Sequence, residues 1–105
     1  MSQKYFTTRV VGGIYCPWVK WSALTEGETI HIVPDPYGVV SGSKHEDPNA
    51  LAVYAQDRKR IGFLRRDIAK LLGPMLKDAS IEVCATLERA GGAMNTYVRC
   101  ELKGE

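Results

Sequence analysis

The chain has 105 residues, of which 45% are hydrophobic and 25% are charged. This length and balance are typical of one globular domain with a modest apolar core, and they exclude a disordered or fibrous chain. The net charge of +2 is too small to indicate a nucleic-acid partner by itself. The apolar runs are far shorter than the roughly 20 residues that cross a bilayer, and the N-terminus lacks a signal-peptide pattern. We expect a single domain over residues 1–105, in a cytoplasmic protein with no membrane partner.

Three segments of the first half have apolar side chains that alternate with polar ones. In the first of them, Phe6, Thr8 and Val10 share one face. Alternation with a period of two residues predicts half-buried β-strands. The three predicted strands are Phe6 to Ile14, Glu28 to Val33 and Ala50 to Tyr54.

Two short helices are predicted between the strands. Pro17 suits a first helical position, and the segment from there to Leu24 precedes Gly27, which would end the helix. Asp67 to Asp78 has apolar residues at helical spacing, although Pro74 should kink or split that helix. The predicted apolar stripe consists of Ile68, Leu71, Leu72, Met75 and Leu76.

The last third of the chain predicts a β-hairpin. Alternation begins at Ile81 and resumes from Met94 to Leu102, with the turn signal Gly91-Gly92 between the two arms. A two-residue turn at these glycines would pair Cys84 with Arg99 and Cys100 with Val83, so the two cysteines would lie on opposite faces. In total we expect a mostly β fold, a small barrel of about six strands with two short helices.

The residue types that support catalysis or metal binding are not grouped in this sequence. Cys16, Cys84 and Cys100 are widely spaced, without a Cys-x-x-Cys pair, and are interpreted as reduced structural thiols. Nucleophile-elbow, phosphate-loop and zinc-protease motifs are absent from the sequence. We therefore expect a binding domain without catalytic residues, metal or cofactor.

One stretch has a more specific pattern. It reads Asp47-Pro48-Asn49-Ala50-x-x-Val53, followed by Ile61-Gly62-Phe63-Leu64-x-Arg66 and an apolar helix. Asp-Pro-Asn is also ordinary turn chemistry, in which the acid accepts backbone N–H bonds and proline fixes φ. The whole pattern, together with Val10-Val11-Gly12 and the segment Leu24 to Pro34, resembles the HIRAN domain family over nearly the full chain.

This resemblance implies a modified OB-like or SH3-like barrel that grips the 3′ end of single-stranded DNA. Asp47 matches the family's loop acid, which would accept a hydrogen bond from a terminal hydroxyl and repel a terminal phosphate. Tyr15 matches an aromatic on which a base stacks. Arg66 matches a cation before the helix that pairs with phosphate, with Arg65 and Lys44 as further cations.

Several alternatives remain open at these positions. Tyr15 could instead pack at the barrel rim, and Phe63, where another family member has a different ring, could stack on a base or be buried. Ile14 and Cys16 stand where the family has a basic residue and a second tyrosine, so the second stacking platform is missing. A protein-interaction domain on the same barrel is therefore the alternative function. A monomer is expected in either case.

Overall fold

The structure is a computed structural model that describes residues 3–38, 47–78 and 81–104. These residues form six strands, one α-helix and three single turns of 3₁₀-helix. The mostly β architecture predicted from the sequence is confirmed. The strands are β1 (Gln3–Arg9), β2 (Thr29–Pro34), β3 (Leu51–Tyr54), β4 (Arg60–Phe63), β5 (Ile81–Ala90) and β6 (Thr96–Gly104), and the helix is α1 (Arg66–Lys77).

The six strands form one sheet in the order β1-β6-β5-β2-β3-β4, with antiparallel neighbours throughout. The chain that continues past β1 joins the two ends of this sheet. Val10 N–H donates to the Thr96 carbonyl of β6 at 2.8 Å, and the next residue, Val11, exchanges two hydrogen bonds with Phe63 of β4 at 2.9 and 2.8 Å. The sheet therefore curls into a small barrel whose end strands meet at Val11.

The core lies inside this curled sheet, because the alternating apolar residues of each strand point to the same side. Thr8 and Val10 are buried and Phe6 is half-buried, as the alternation predicts. Full burial of a valine or leucine side chain contributes about 1.5–3 kcal/mol relative to exposure. The largest fully buried apolar side chains are Val10, Leu51, Val53, Ile61, Leu87 and Val98.

Helix α1 is one continuous helix of 12 residues that includes Pro74. The prediction that Leu71 and Met75 face the core is wrong, because these side chains are 66% and 43% exposed. The helix buries Leu72 of the predicted stripe and also turns its small residues toward the barrel. Ala69 and Gly73 are buried, and a Cβ at Gly73 would lie 3.0 Å from the Asn49 carbonyl oxygen. Small residues four apart allow the helix backbone to approach the turn before β3 closely.

The prediction of a helix from Pro17 to Leu24 is also wrong. Only Trp21–Ala23 forms a single 3₁₀ turn there. Tertiary contacts override the local helical spacing, since the Trp18 indole N–H donates to the Arg60 carbonyl oxygen at 2.8 Å. The predicted first strand likewise ends at Arg9 rather than Ile14, because Gly12 has a φ of 76° and begins a turn.

The terminal hairpin forms with the predicted faces but in a different register. Cys84 pairs with Glu101 and Cys100 pairs with Ala85. The connection runs from Gly91 to Asn95, closed by a hydrogen bond from Gly91 N–H to the Asn95 carbonyl at 3.0 Å. A register shift of two residues preserves the inward side of each strand. Cys84 is accordingly exposed and Cys100 buried.

Residues 39–46, which include Lys44, lie outside the described residues. Within the described ranges, no helix has the length and apolar character needed to cross a bilayer.

Candidate nucleic-acid interface

A cavity of about 330 Å³ opens where the barrel closes, between the turn after β1, strand β4 and the start of α1. Apolar side chains form part of its wall, and an aromatic ring and three charged side chains form the rest. The apolar wall consists of Val11, Ala50, Phe63 and Leu64, and the remaining side chains are Tyr15, Asp47, Arg60 and Arg66.

Tyr15 ends the 3₁₀ turn Gly13–Tyr15 and is 74% exposed. Hydrogen bonds and packing hold the backbone of this turn in place. Its N–H groups close back on Gly12 and Gly13, and the space beside Gly13 is filled by the Trp21 ring, 2.9 Å from a Cβ at that position. Cys16, directly after the tyrosine, is buried. The backbone is therefore fixed while the Tyr15 ring lies at the surface beside the cavity.

Asp47 begins the turn that leads into β3. Its backbone carbonyl accepts the Tyr37 N–H at 3.0 Å, and its Oδ1 accepts the Asn49 N–H at 2.9 Å. The side chain is 17% exposed, and Oδ2 lies 3.9 Å from the Arg66 Nε. Oδ1 of Asp47 thus has the ordinary turn role, since it accepts a backbone N–H of its own turn. The other oxygen lies on the side of the arginine and the cavity.

Arg66 is the first residue of α1, and its side chain is 83% exposed. Arg65 lies outside the cavity and forms an ion pair with Asp67, with 3.2 Å between Nη2 and Oδ2. Asp67 also accepts the Ile68 N–H at 3.0 Å. The carboxylate of Asp67 therefore already occupies the first turn of the helix. Arg66 is the helix cation that lines the cavity.

Arg60 is the residue of this cavity that the sequence patterns did not indicate. Its Cζ lies 5.2 Å from the ring centroids of both Trp18 and Phe63, within the range of cation–π contacts. The pairing of β3 with β4 shifts by one residue next to Arg60, and such irregularities redirect side chains. Strict alternation along β4 therefore does not predict where the Arg60 side chain lies.

A second, larger cavity of about 770 Å³ lies on the other side of Trp18. Its charged lining residues are three carboxylates and two amines: Glu26, Glu28, Asp57, Lys20 and Lys59. The smaller cavity has two guanidinium groups and one carboxylate. The smaller cavity is therefore the better match for an anionic ligand. No group of three or more possible metal ligands occurs in the part of the chain that the structure describes.

Comparison with protein families decides the relationship that the motifs indicate. The family model of the HIRAN domain matches residues 3–105. The chain belongs to the HIRAN domain family. A comparison of this HIRAN domain with curated protein sequences gives no significant match.

Two solved structures share the fold of this HIRAN domain. The crystal structure of the HIRAN domain of human HLTF aligns with a TM-score of 0.78 at 19% identity, over 96% of this chain and 76% of that one. The NMR structure of the HLTF HIRAN domain in its DNA-bound conformation aligns with a TM-score of 0.68 at 17% identity, over 98% and 75%. At these identities the likeness establishes the barrel fold.

The structure brings four of the six predicted site residues of the HIRAN domain around one cavity. These are Tyr15, Asp47, Phe63 and Arg66. Phe63 is half-buried and contacts Arg60. Arg65 lies beside this group in a neighbouring depression that it shares with Arg66. Lys44 lies outside the described residues, and the ligand roles of all six remain predictions.

Proposed function

We propose that this HIRAN domain binds nucleic acid and recognises the 3′ end of single-stranded DNA in the 330 Å³ cavity. The observation that carries the proposal is the grouping of an exposed tyrosine, a carboxylate and two guanidiniums around one small cavity. Its volume lies at the lower end of the usual range for ligand sites, roughly 300–1,000 Å³. One terminal nucleotide suits such a cavity better than the flank of a duplex does.

The Tyr15 ring supplies the stacking surface. Because 74% of the residue is exposed on a fixed turn, a base can cover the ring without unpacking the core. Stacking is nearly independent of base identity and contributes about 1–3 kcal/mol per base. This contact would bind strands of any sequence.

Asp47 gives the cavity its preference for an end. A carboxylate accepts hydrogen bonds when ionised and repels phosphate, so it is an unfavourable neighbour for the interior of a polyanion. A terminal 3′-hydroxyl brings a donor that the backbone of an internal nucleotide lacks. Arg66, 3.9 Å from this carboxylate, offsets the repulsion and can neutralise a nearby phosphate.

An exposed apolar patch around Trp18 or Trp21 would favour the alternative, a protein-interaction domain. Trp21 is half-buried. Trp18 is 44% exposed, but its ring contacts Arg60 and its indole N–H donates to a backbone carbonyl. These contacts favour the nucleic-acid proposal over the protein one.

The direct experiment is a fluorescence-anisotropy titration with a labelled single strand and with the matching duplex, at several salt concentrations. We expect the single strand to bind more tightly, with affinity that falls as salt rises because phosphate contacts release counterions. The dependence on salt should be shallow, since few cations line the cavity. Absence of single-strand binding at low salt would contradict the proposal.

A further inference from the structure

Arg60 is held in place before any ligand arrives. Its guanidinium lies between the Trp18 and Phe63 rings, 5.2 Å from each centroid. The Trp18 indole N–H also donates to the carbonyl oxygen of Arg60 at 2.8 Å. Backbone and side chain of this residue are thus restrained by the same indole. Such a restrained arginine loses little conformational entropy on binding.

Two of the three guanidinium nitrogens nevertheless have no hydrogen-bond acceptor among the described residues. Nε and Nη1 of Arg60 are buried, and neither donates a hydrogen bond to a residue within the described ranges. Buried N–H donors are normally paired, and a buried charge without a partner costs free energy. The two aromatic faces offset part of this cost but provide no hydrogen-bond acceptor of the usual kind. An anion in the cavity that Arg60 lines would supply an acceptor for the guanidinium.

The other two arginines near the cavity differ from Arg60 in this respect. Arg65 has its ion pair with Asp67 at 3.2 Å, and Arg66 lies 3.9 Å from Asp47 with an 83% exposed side chain. Attraction between charges strengthens as water is excluded. A restrained, partly dehydrated guanidinium therefore gains more from an incoming anion than a solvated one does.

We propose that Arg60 binds the last phosphodiester group of the strand whose 3′ end occupies the cavity. This inference rests on the proposed function and adds the group of the ligand that the restrained Arg60 binds. The final nucleotide carries its hydroxyl and its phosphodiester on different sides of one sugar. A cavity lined by a carboxylate, Asp47, and by a guanidinium, Arg60, matches both groups at once. The guanidinium suits phosphate because its N–H donors match pairs of phosphate oxygens.

The test compares two single strands that differ only at the last linkage, which is a phosphodiester in one and an uncharged methylphosphonate in the other. For the unmodified protein we expect the methylphosphonate to weaken binding roughly ten- to a hundred-fold, as loss of a charge-assisted hydrogen bond does. In Arg60→Gln the two strands should bind within about twofold of each other, because the partner of the phosphate charge is gone.

Lys59→Gln is the matched control. It removes the same charge from the adjacent position, but Lys59 is exposed and lines the larger cavity. This variant should keep the full difference between the two strands. Thermal melting of each variant, followed by circular dichroism, shows whether it is folded at the assay temperature. If Arg60→Gln is not folded, Arg60→Lys is used instead. Loss of the two-nitrogen fork should then reduce the affinity difference between the two strands at least about threefold.

Three results would contradict the assignment. A difference between the strands that persists unchanged in the folded Arg60 variant would place the phosphate contact elsewhere. If the Arg60 variant binds both strands more weakly by the same factor, Arg60 has only a structural role. If the unmodified protein binds the two strands equally well, the last linkage has no cationic partner. Failure of the unmodified protein to bind either strand would instead contradict the proposed function itself.

Discussion

Gly62 of β4 lies directly against the carbonyl oxygen of Val11, so a Cβ at position 62 would collide with that oxygen. Val11 is the residue whose two hydrogen bonds to Phe63 join the ends of the sheet. Gly62 also has a φ of 154°, a conformation that other residues rarely adopt. The barrel closes, and the cavity forms, because this position has no side chain.

Gly62→Ala should therefore destabilise the fold by about 3 kcal/mol or more, from backbone strain and the displacement of Val11. For a domain of this size the melting temperature should fall by at least about 12 °C. Gly27→Ala is the control, since Gly27 has a φ of 90° but no atom within 4 Å of a Cβ. It should cost only the backbone term, about 1–2 kcal/mol. Equal losses in both variants would show that the approach of Val11 contributes nothing.

Tyr15→Ala should weaken single-strand binding by about 1–3 kcal/mol for all base compositions. Its unfolding free energy should change by less than about 0.5 kcal/mol, because the ring is mostly exposed. Tyr5→Ala removes another exposed tyrosine ring, from β1, that does not line the cavity, and it should leave affinity unchanged. A large drop in the melting temperature of Tyr15→Ala would instead assign the ring to the packing of the barrel rim.

The three thiols should differ in reactivity. Cys84 is exposed, whereas Cys16 and Cys100 are buried. Burial raises the pKa of the Cys100 thiol from its ordinary value of 9.0 to about 11. Because the thiolate is the reactive species, iodoacetamide at neutral pH should label Cys84 in the folded protein and the other two only after denaturation. Mass spectrometry of the labelled peptides measures this, and rapid labelling of Cys100 would contradict the buried register of β6.

The raised pKa of the Cys100 thiol predicts that the stability of the fold depends on pH. The folded chain keeps the Cys100 proton more tightly than the unfolded chain does, so its contribution is fully present below pH 9 and is lost as pH rises toward 11. One pKa unit corresponds to about 1.36 kcal/mol. Cys100→Val, which removes the titrating group, should show a smaller loss of unfolding free energy between pH 8 and 11. Parallel stability curves for the two proteins would rule out this linkage.

Strand alternation predicted the inward faces because burial follows the two-residue period of the backbone. It identified Thr8, Val10, Val98 and Cys100 as inward-facing, and all four are buried. The hairpin register was wrong because it depends on the turn length and on a β-bulge between Leu87 and Arg89. A hydrogen bond between Gly91 and Asn95 sets that length, and no residue pattern before the turn encodes it.

Local sequence indicates only part of the candidate site, and the roles of its residues remain predictions. Asp47 and Arg66 belong to a local motif, so the sequence indicates them directly. Arg60 reaches the cavity through a shift in strand pairing and through contact with Trp18, 42 residues away in the chain. Such tertiary placement is not visible in the spacing of the residues.

The central claim, recognition of a 3′ end, depends on the carboxylate of Asp47. Asp47→Asn is the informative change, because the amide oxygen can still accept the Asn49 N–H that Oδ1 accepts at 2.9 Å, while the negative charge is lost. Asp57→Asn is its match, since Asp57 accepts the Lys59 N–H at 3.0 Å in an equivalent turn but lines the other cavity. The alanine variant of Asp47 additionally removes the turn bond and should lose about 1 kcal/mol of folding stability.

The decisive measurement is the ratio of affinities for one labelled strand ending in a 3′-hydroxyl and the same strand ending in a 3′-phosphate. The unmodified protein and Asp57→Asn should prefer the hydroxyl end. In Asp47→Asn the two affinities should converge, with the hydroxyl-end affinity about ten- to a hundred-fold lower, as expected for loss of a hydrogen bond to a charged group. An unchanged preference in folded Asp47→Asn, or no preference in the unmodified protein, would contradict end recognition by Asp47.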